Sequence, residues 1–206
     1  MDKSVSRRKF LGQAGAIGAI GTISVGSILS ACSTDKKGKN MPAIDKLDQA
    51  PDGKVLKAGL VGCGNRGTGA AFNFLDAGPS LELVALADVF DDQLQLCRQK
   101  LKKQKNVDIP DNKCFTGFDA YKRMLETDID IILLATPPHF RPEHLEAAVQ
   151  AKKHIFMEKP AAVDPVGIRS VIGSAKKAEA IGLSIVGGTQ RRHERNYLET
   201  YRQVQM

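Results

Sequence analysis

Hydrophobic and polar positions divide residues 54–188 into two alternating kinds of segment. Short apolar runs, typical of strands buried on both faces of a parallel sheet, occur at residues 55–61, 81–87, 113–115, 129–135, 154–157 and 183–186. Segments of helical pattern lie between them, at residues 70–75, 93–103, 119–126, 142–151 and 164–180. This alternation predicts an α/β fold with a doubly wound parallel sheet, which binds ligands at the carboxyl ends of its strands.

The first apolar run leads directly into a glycine-rich turn. Gly62, Gly64 and Gly67 follow it at G-x-G-x-x-G spacing. In a dinucleotide-binding turn the first glycine permits the tight turn, the second lets a pyrophosphate approach the backbone, and the third lets the next helix pack close to the strand. That helix begins near Arg66, so its free N–H groups face the phosphates. We predict that the three glycines, Asn65 and Arg66 bind a dinucleotide in a Rossmann-type domain.

The residues after the turn distinguish it from an ordinary strand–turn–helix corner, which is the alternative in a chain with 19 glycines. The second apolar run ends at Asp88, about 20 residues beyond the glycines, where an acidic residue holds the ribose hydroxyls of NAD. A carboxylate there repels the additional phosphate of NADP, so NAD is the predicted cofactor. Arg66 leaves NADP open, since a nearby arginine can accommodate that phosphate.

The first 32 residues follow a different pattern. Residues 6–11 (SRRKFL) have the form of a twin-arginine export signal, and no charged side chain occurs from Phe10 to Thr34. Repeated glycines make this run only mildly hydrophobic, which disfavours a permanent transmembrane helix. Residues 29–32 (LSAC) resemble a bacterial lipobox, in which Cys32 carries the lipid. We expect export through the twin-arginine translocase to the periplasm or cell envelope, with a lipid anchor in the membrane; the alternative is an uncleaved signal anchor.

Charge and cysteine content agree with this division. Residues 33–53 have no apolar periodicity and are predicted to be a flexible linker. Residues 1–50 hold eight Lys or Arg and four Asp or Glu, so they carry +4 of the formal charge of +7. The remaining charge is spread over a mixed surface, and no nucleic-acid partner is predicted. The other cysteines form no CxxC pair or zinc-finger spacing, so we predict core cysteines and no metal site: Cys63, Cys97 and Cys114.

Polar residues follow the fourth and fifth predicted strands at the edge where ligands bind. Thr136 and Pro137 come after the fourth strand, and Glu158 and Lys159 after the fifth. We predict that all four bind the cofactor and that Lys159 is catalytic. The alternatives are a lysine that merely extends into solvent and a Glu158–Lys159 surface ion pair. Exposed histidines are common in loops, and the three histidines in this region do not have the spacing of metal ligands. We therefore expect exposed loop histidines at His139, His144 and His193.

These motifs resemble those of the Gfo/Idh/MocA oxidoreductases over residues 55–206. The most specific of them is Glu158-Lys159-Pro160, usually preceded by Gly-Lys-His, where this chain has Lys152 in place of the glycine. The resemblance implies that Lys159 reaches the active site near the nicotinamide and the substrate, and that Pro160 takes the cis form. Arg141 stands where the family usually has a histidine. A related branch combines segments like 188–193 and 140–142 with a twin-arginine leader, and this chain has all three.

The resemblance also implies a second, substrate-binding domain that contributes acid/base residues. Residues 54–188 are the predicted NAD-binding domain, and residues 189–206 are the predicted start of the second one. The chain ends at Met206 inside a predicted helix over residues 194–205. Without a sheet to cover, that helix leaves Leu198 and Val204 exposed, so we expect a fragment rather than a natural truncation.

The implied function is that of an exported NAD-dependent oxidoreductase that transfers a hydride between nicotinamide and a sugar or cyclic polyol. One alternative is a glycosidase that uses NAD for a transient oxidation, in contrast to the two-carboxylate mechanism. Another is a truncated nucleotide-binding module without catalysis. The expected partner is a small sugar or glycoside substrate, and a homo-oligomer of the full-length protein is left open.

Overall fold

The computed structural model describes residues 53–205. The predicted export signal, the lipid anchor at Cys32 and nearly all of the predicted linker lie outside these residues and stay predictions. Within the described part of the chain, no helix is both long enough and apolar enough to cross a membrane.

The centre of the fold is a six-stranded sheet in the order β3-β2-β1-β4-β5-β6. All neighbouring strands are parallel. The strands are β1 (Leu56–Val61), β2 (Leu81–Asp88), β3 (Cys114–Thr116), β4 (Ile131–Leu134), β5 (His154–Met157) and β6 (Ile185–Gly187). This confirms the predicted doubly wound parallel sheet. Its strand order reverses between β1 and β4, which is where such sheets bind dinucleotides.

Helices follow the strands as the alternating pattern predicts. They are α1 (Asn65–Asp76), α2 (Asp91–Lys105), α3 (Ala120–Leu125), α4 (Arg141–Gln150), α5 (Pro165–Ala180) and α6 (Arg195–Gln205), with short 3₁₀ helices at Asp111–Lys113 and Gln190–Arg192. Most strand and helix ends lie within two residues of the predicted ones, and α1 begins at Asn65, one residue before the predicted start near Arg66. Asp164 shows why α5 begins where it does, since its carboxylate accepts a hydrogen bond of 2.6 Å from the Gly167 N–H.

Two apolar layers enclose the sheet. One contains residues of α1 and α2 packed with Leu60, Leu86 and Leu133, and the other contains residues of α3, α4 and α5 packed with Ile132 and Leu134. Neighbouring strand residues therefore point into opposite layers, as expected for a strand buried on both faces. Because each fully buried leucine or isoleucine contributes about 2 kcal/mol, these layers fix the strand ends that carry the candidate site.

Candidate functional site

The carboxyl ends of β1 to β4 enclose a cleft of about 630 Å³. It brings together five of the predicted site residues: Gly62, Gly64, Asp88, Thr136 and Pro137. Aromatic side chains that were not among the predicted site residues form part of its walls: Phe90, Phe118 and Phe140. Apolar and aromatic walls with a few polar groups are typical of a small-molecule or cofactor pocket.

The glycine turn has a separate geometric requirement at each glycine. Gly62 has φ of +94°, in the left-handed region, and a Cβ there would lie 2.8 Å from the backbone nitrogen of Thr136. A Cβ on Gly67 would lie 1.7 Å from the carbonyl oxygen of Gly62, so only glycine lets α1 start this close to β1. A Cβ on Gly64 would meet nothing within 4 Å, which leaves open space above the turn. This open cradle at a helix N-terminus fits a pyrophosphate.

Asp88 lies at the end of β2, and its carboxylate is fixed by two backbone groups. Oδ2 accepts a hydrogen bond of 2.5 Å from the Cys63 N–H, and Oδ1 accepts one of 2.9 Å from the Phe90 N–H. An ionised carboxylate has about four acceptor positions, so about two are left for hydroxyl groups of a ligand. The turn and Asp88 together fit the phosphates and a ribose of a dinucleotide.

Arg66 and Glu158 form an ion pair that sequence analysis missed. Arg66 Nε donates to Glu158 Oε1 at 2.9 Å, and Nη2 donates to the same oxygen. Glu158 is only 4% exposed, so it does not belong to a surface ion pair with Lys159. The pair connects the glycine turn to the end of β5. Arg66 also lines a second groove, between α1 and the β5–β6 edge, rather than the cleft that contains Asp88.

The remaining predicted residues lie beside the cleft rather than along its walls. Asn65 is exposed at the start of α1, and Gly67 is buried beneath the turn. Lys159 is exposed just beyond the end of β5. The peptide bond between Lys159 and Pro160 is cis, as the family resemblance implies.

Arg141 is a buried polar residue of this site whose burial we did not predict. It begins α4 and is 4% exposed. Its Nη2 donates to the Thr136 carbonyl at 2.7 Å, and its Nη1 donates to the Pro160 carbonyl. Burial lowers the pKa of the Arg141 guanidinium and the Glu158 carboxylate raises it, but an arginine remains protonated in proteins. Arg141 therefore places a positive charge between the ends of β4 and β5.

His144 is not one of the exposed loop histidines that we expected, because it is buried on the inner face of α4. Its ring lies against Tyr121, with 4.1 Å between ring centroids, and its Nδ1 lies 3.3 Å from Thr136 Oγ1. Burial lowers the pKa of His144 to about 4, against a weaker opposing effect of Glu143. The ring is therefore neutral at physiological pH, and it supports Thr136 without bringing a charge to the cleft.

This low pKa predicts a pH-dependent stability. As pH falls from about 6.5 to about 4, the unfolded chain binds a proton at His144 that the folded chain does not, so the free energy of unfolding falls by up to about 3 kcal/mol. Urea unfolding of His144→Asn should show a shallower pH dependence over this range than the wild type. The exposed His139 provides the control, His139→Asn, which should keep the wild-type slope. An unchanged slope in His144→Asn would contradict the assignment.

The cysteines behave as structural residues. Cys63 and Cys97 are buried and Cys114 is half-buried, and all three are free thiols. A hydrogen bond with Cys97, together with burial, raises the pKa of the Cys63 thiol. Cys63 is thus a neutral thiol beneath the glycine turn and not a nucleophile.

Comparison with known proteins agrees with this geometry. Residues 56–186 match the Gfo/Idh/MocA family model, described as an oxidoreductase family with an NAD-binding Rossmann fold. A glycosyl hydrolase family 109 protein of Streptomyces coelicolor is 30% identical over 165 residues, which cover 78% of this chain and 34% of that protein. Myo-inositol 2-dehydrogenase of Thermotoga maritima is 28% identical over 142 residues, which cover 69% of this chain and 38% of that protein.

A solved structure shows the same likeness. Scyllo-inositol dehydrogenase from Lactobacillus casei, determined with NAD(H) and scyllo-inositol, superposes with a TM-score of 0.60 at 26% identity, covering 74% of this chain and 41% of that one. The chain spans little more than a third of the length of the two sequence relatives, 34% and 38%. The family match extends over most of the sheet and includes the glycine turn, Asp88 and the Glu158-Lys159 segment. This chain is therefore a member of the Gfo/Idh/MocA oxidoreductase family and contains its NAD-binding Rossmann domain.

Proposed function

We propose that the protein is an NAD-dependent oxidoreductase that acts on a secondary hydroxyl of a cyclic polyol or sugar. The observation that carries this proposal is the placement of the Glu158-Lys159 segment beside the glycine turn, to which it is joined by the Arg66–Glu158 ion pair. The inositol dehydrogenases among its relatives support the substrate class.

Different residues around the cleft would bind different parts of the cofactor. The N–H groups at the start of α1 and the open space at Gly64 suit the pyrophosphate. Asp88, fixed by two backbone N–H groups, would accept hydrogen bonds from the ribose hydroxyls. Its negative charge disfavours NADP. Arg66 does not offset that charge, because its guanidinium is engaged by Glu158.

Bound NAD supplies a two-electron hydride acceptor that the side chains themselves lack. Lys159 would take the proton from the reacting hydroxyl as the hydride leaves the same carbon. Its position after β5 puts it at the ligand-binding edge of the sheet, and its exposure leaves the amine free to reach a substrate. Glu158 would hold this segment in place through Arg66.

A second candidate function is a glycosidase that uses NAD without net oxidation, which the family 109 relative favours. A transient oxidation of the sugar acidifies a neighbouring C–H, the leaving group is eliminated, water adds, and the hydride returns to the sugar. The same residues would serve the oxidation and the final reduction, with Lys159 taking the hydroxyl proton in the first and returning it in the second. A further base would take the C–H proton, and a further acid would protonate the leaving group.

One assay separates these functions. The protein is titrated with NAD and then incubated with myo-inositol, scyllo-inositol and a panel of nitrophenyl glycosides, while NADH absorbance and nitrophenol release are followed together. We expect NAD binding and a stoichiometric rise in NADH with a polyol. Glycoside cleavage without net NADH would favour the glycosidase. Binding of NAD without any turnover would favour a non-catalytic module, and the absence of NAD binding would overturn all three.

A further inference from the structure

The structure holds an arginine in a position that stability does not explain. Arg141 is the first residue of α4, where a positive charge interacts unfavourably with the helix dipole. An arginine at the start of a helix is ordinarily solvated, yet this one is 4% exposed. Its Nε is buried and has no hydrogen-bond partner among the described residues. Burying a cation with an unpartnered donor costs free energy, so the other contacts of this side chain must offset that cost or serve a function.

Those other contacts join two loops at the ligand-binding edge. One arm of the guanidinium donates to the carbonyl of Thr136 at 2.7 Å, directly after β4. The other arm donates to the carbonyl of Pro160, after β5. A planar guanidinium reaches two acceptors in fixed directions, whereas a lysine ammonium is a compact point charge on a flexible stem. Arg141 thus fixes the spacing between two loops that the sheet itself does not tie together at this point.

Lys159 lies between two anchored residues. On one side Glu158 is held by Arg66 and by its own N–H, which donates to the Leu134 carbonyl at 3.0 Å. On the other side Pro160 is held by Arg141. The side chain of Lys159 is itself exposed, so the anchors on either side set the point from which its amine extends. Displacement of a reacting group by about 1 Å can lower a rate about 10²-fold.

We propose that Arg141 is a positioning residue, which fixes the Lys159 amine against the bound cofactor by tying the Pro160 carbonyl to the end of β4. This inference rests on the proposed function, because it requires NAD in the cleft and Lys159 beside it. It assigns a role to the position where the family usually has a histidine, and it assigns that role to contacts with the backbone rather than with the substrate.

The test measures the chemical accessibility of Lys159 and does not depend on turnover. The protein is labelled with acetic anhydride with and without NAD, and acetylation of each lysine is followed by peptide mass spectrometry. At NAD concentrations of about 100 times Kd, only about 1% of sites are free, so an amine that lies against the cofactor should react at least about fivefold more slowly. The exposed Lys103 on α2 serves as the internal control and should react equally in both conditions.

Variants then separate positioning from folding. Arg141→Met and Arg141→Lys should lose the NAD-dependent protection of Lys159 while Kd for NAD stays within about threefold, because the turn and Asp88 carry cofactor binding. Arg169→Met, on the exposed face of α5, is the matched control and should keep the protection. Millimolar ethylguanidinium should restore protection in Arg141→Ala, since it replaces the missing guanidinium group and its two donating arms.

Each outcome is decisive. Retained protection in Arg141→Met would overturn the proposal. So would parallel losses of NAD affinity and melting temperature in Arg141→Met and Arg141→Lys, together with no rescue of Arg141→Ala by ethylguanidinium, because Arg141 would then be needed only for the fold. Failure of the proposed function is distinguishable from both, since the wild type would then bind no NAD, or would bind it without protecting Lys159.

Discussion

Gly67→Ala is expected to abolish NAD binding and to destabilise the domain by several kcal/mol. The new Cβ would lie 1.7 Å from the Gly62 carbonyl oxygen and 2.9 Å from its carbonyl carbon, and both atoms belong to the backbone of the turn. No rotamer change can relieve that overlap, so the start of α1 must move away from β1. The move would separate the N–H groups of α1 from the open space at Gly64, and overlaps of this kind are among the few single changes that cost more than about 4 kcal/mol.

Two other glycines provide matched controls. Gly64 has ordinary backbone angles, with φ of −64°, and a Cβ there would meet no atom within 4 Å. Gly64→Ala should therefore fold with wild-type stability, yet bind NAD more weakly, because its methyl group enters the space proposed for the pyrophosphate. Gly173 lies within α5, where an added Cβ would likewise meet no atom within 4 Å, and Gly173→Ala should raise stability by up to about 1 kcal/mol and leave Kd unchanged.

Thermal melting and isothermal titration with NAD measure both properties on the same samples. The order of stabilities should be Gly67→Ala lowest, Gly64→Ala near the wild type, and Gly173→Ala highest. The order of NAD affinities should differ, with no binding by Gly67→Ala, weakened binding by Gly64→Ala and wild-type binding by Gly173→Ala. A Gly67→Ala protein that melts at the wild-type temperature would contradict the close approach of α1 to β1.

The contrast between these glycines also shows what the sequence can predict. The spacing of Gly62, Gly64 and Gly67 is a local signal, and the structure meets each requirement that the motif implies. The apolar run at β5 was predicted with its observed ends, His154–Met157. Signals of this kind depend on residues within one strand or one turn, which is why the element order and the fold class followed from the sequence.

Contacts between distant segments did not follow from it. Arg66 and Glu158 are 92 positions apart, and no local sequence pattern indicates that they form a pair. The burial of Arg141 and His144, in contrast, is indicated by a local spacing in the sequence. With Leu145 and Ala148 they occupy positions i, i+3, i+4 and i+7 of α4, the spacing of a buried helix face. Because Arg141 and His144 are polar, the pattern of apolar residues alone did not predict that they lie on the buried face of the helix.

Lys159→Met is expected to lower kcat about 10²–10⁴-fold on whichever substrate the panel identifies, the range by which a positioned proton-transfer group accelerates a reaction. The methionine keeps most of the length and the apolar stem of the lysine and removes its amine. Glu158 would remain paired with Arg66, and the glycine turn and Asp88 would be untouched. Kd for NAD should therefore stay within about threefold of the wild-type value.

Lys159→Arg separates two ways in which the amine can act. A guanidinium keeps the positive charge but does not give up its proton at neutral pH. If Lys159 transfers the proton, Lys159→Arg should be as slow as Lys159→Met; if its charge only polarises the hydroxyl, much of the wild-type kcat should return. Lys176→Met, at an exposed position of α5, is the matched control and should keep the wild-type kcat. A kcat for Lys159→Met close to that of this control would remove Lys159 from the reaction and leave the cleft as a site for NAD alone.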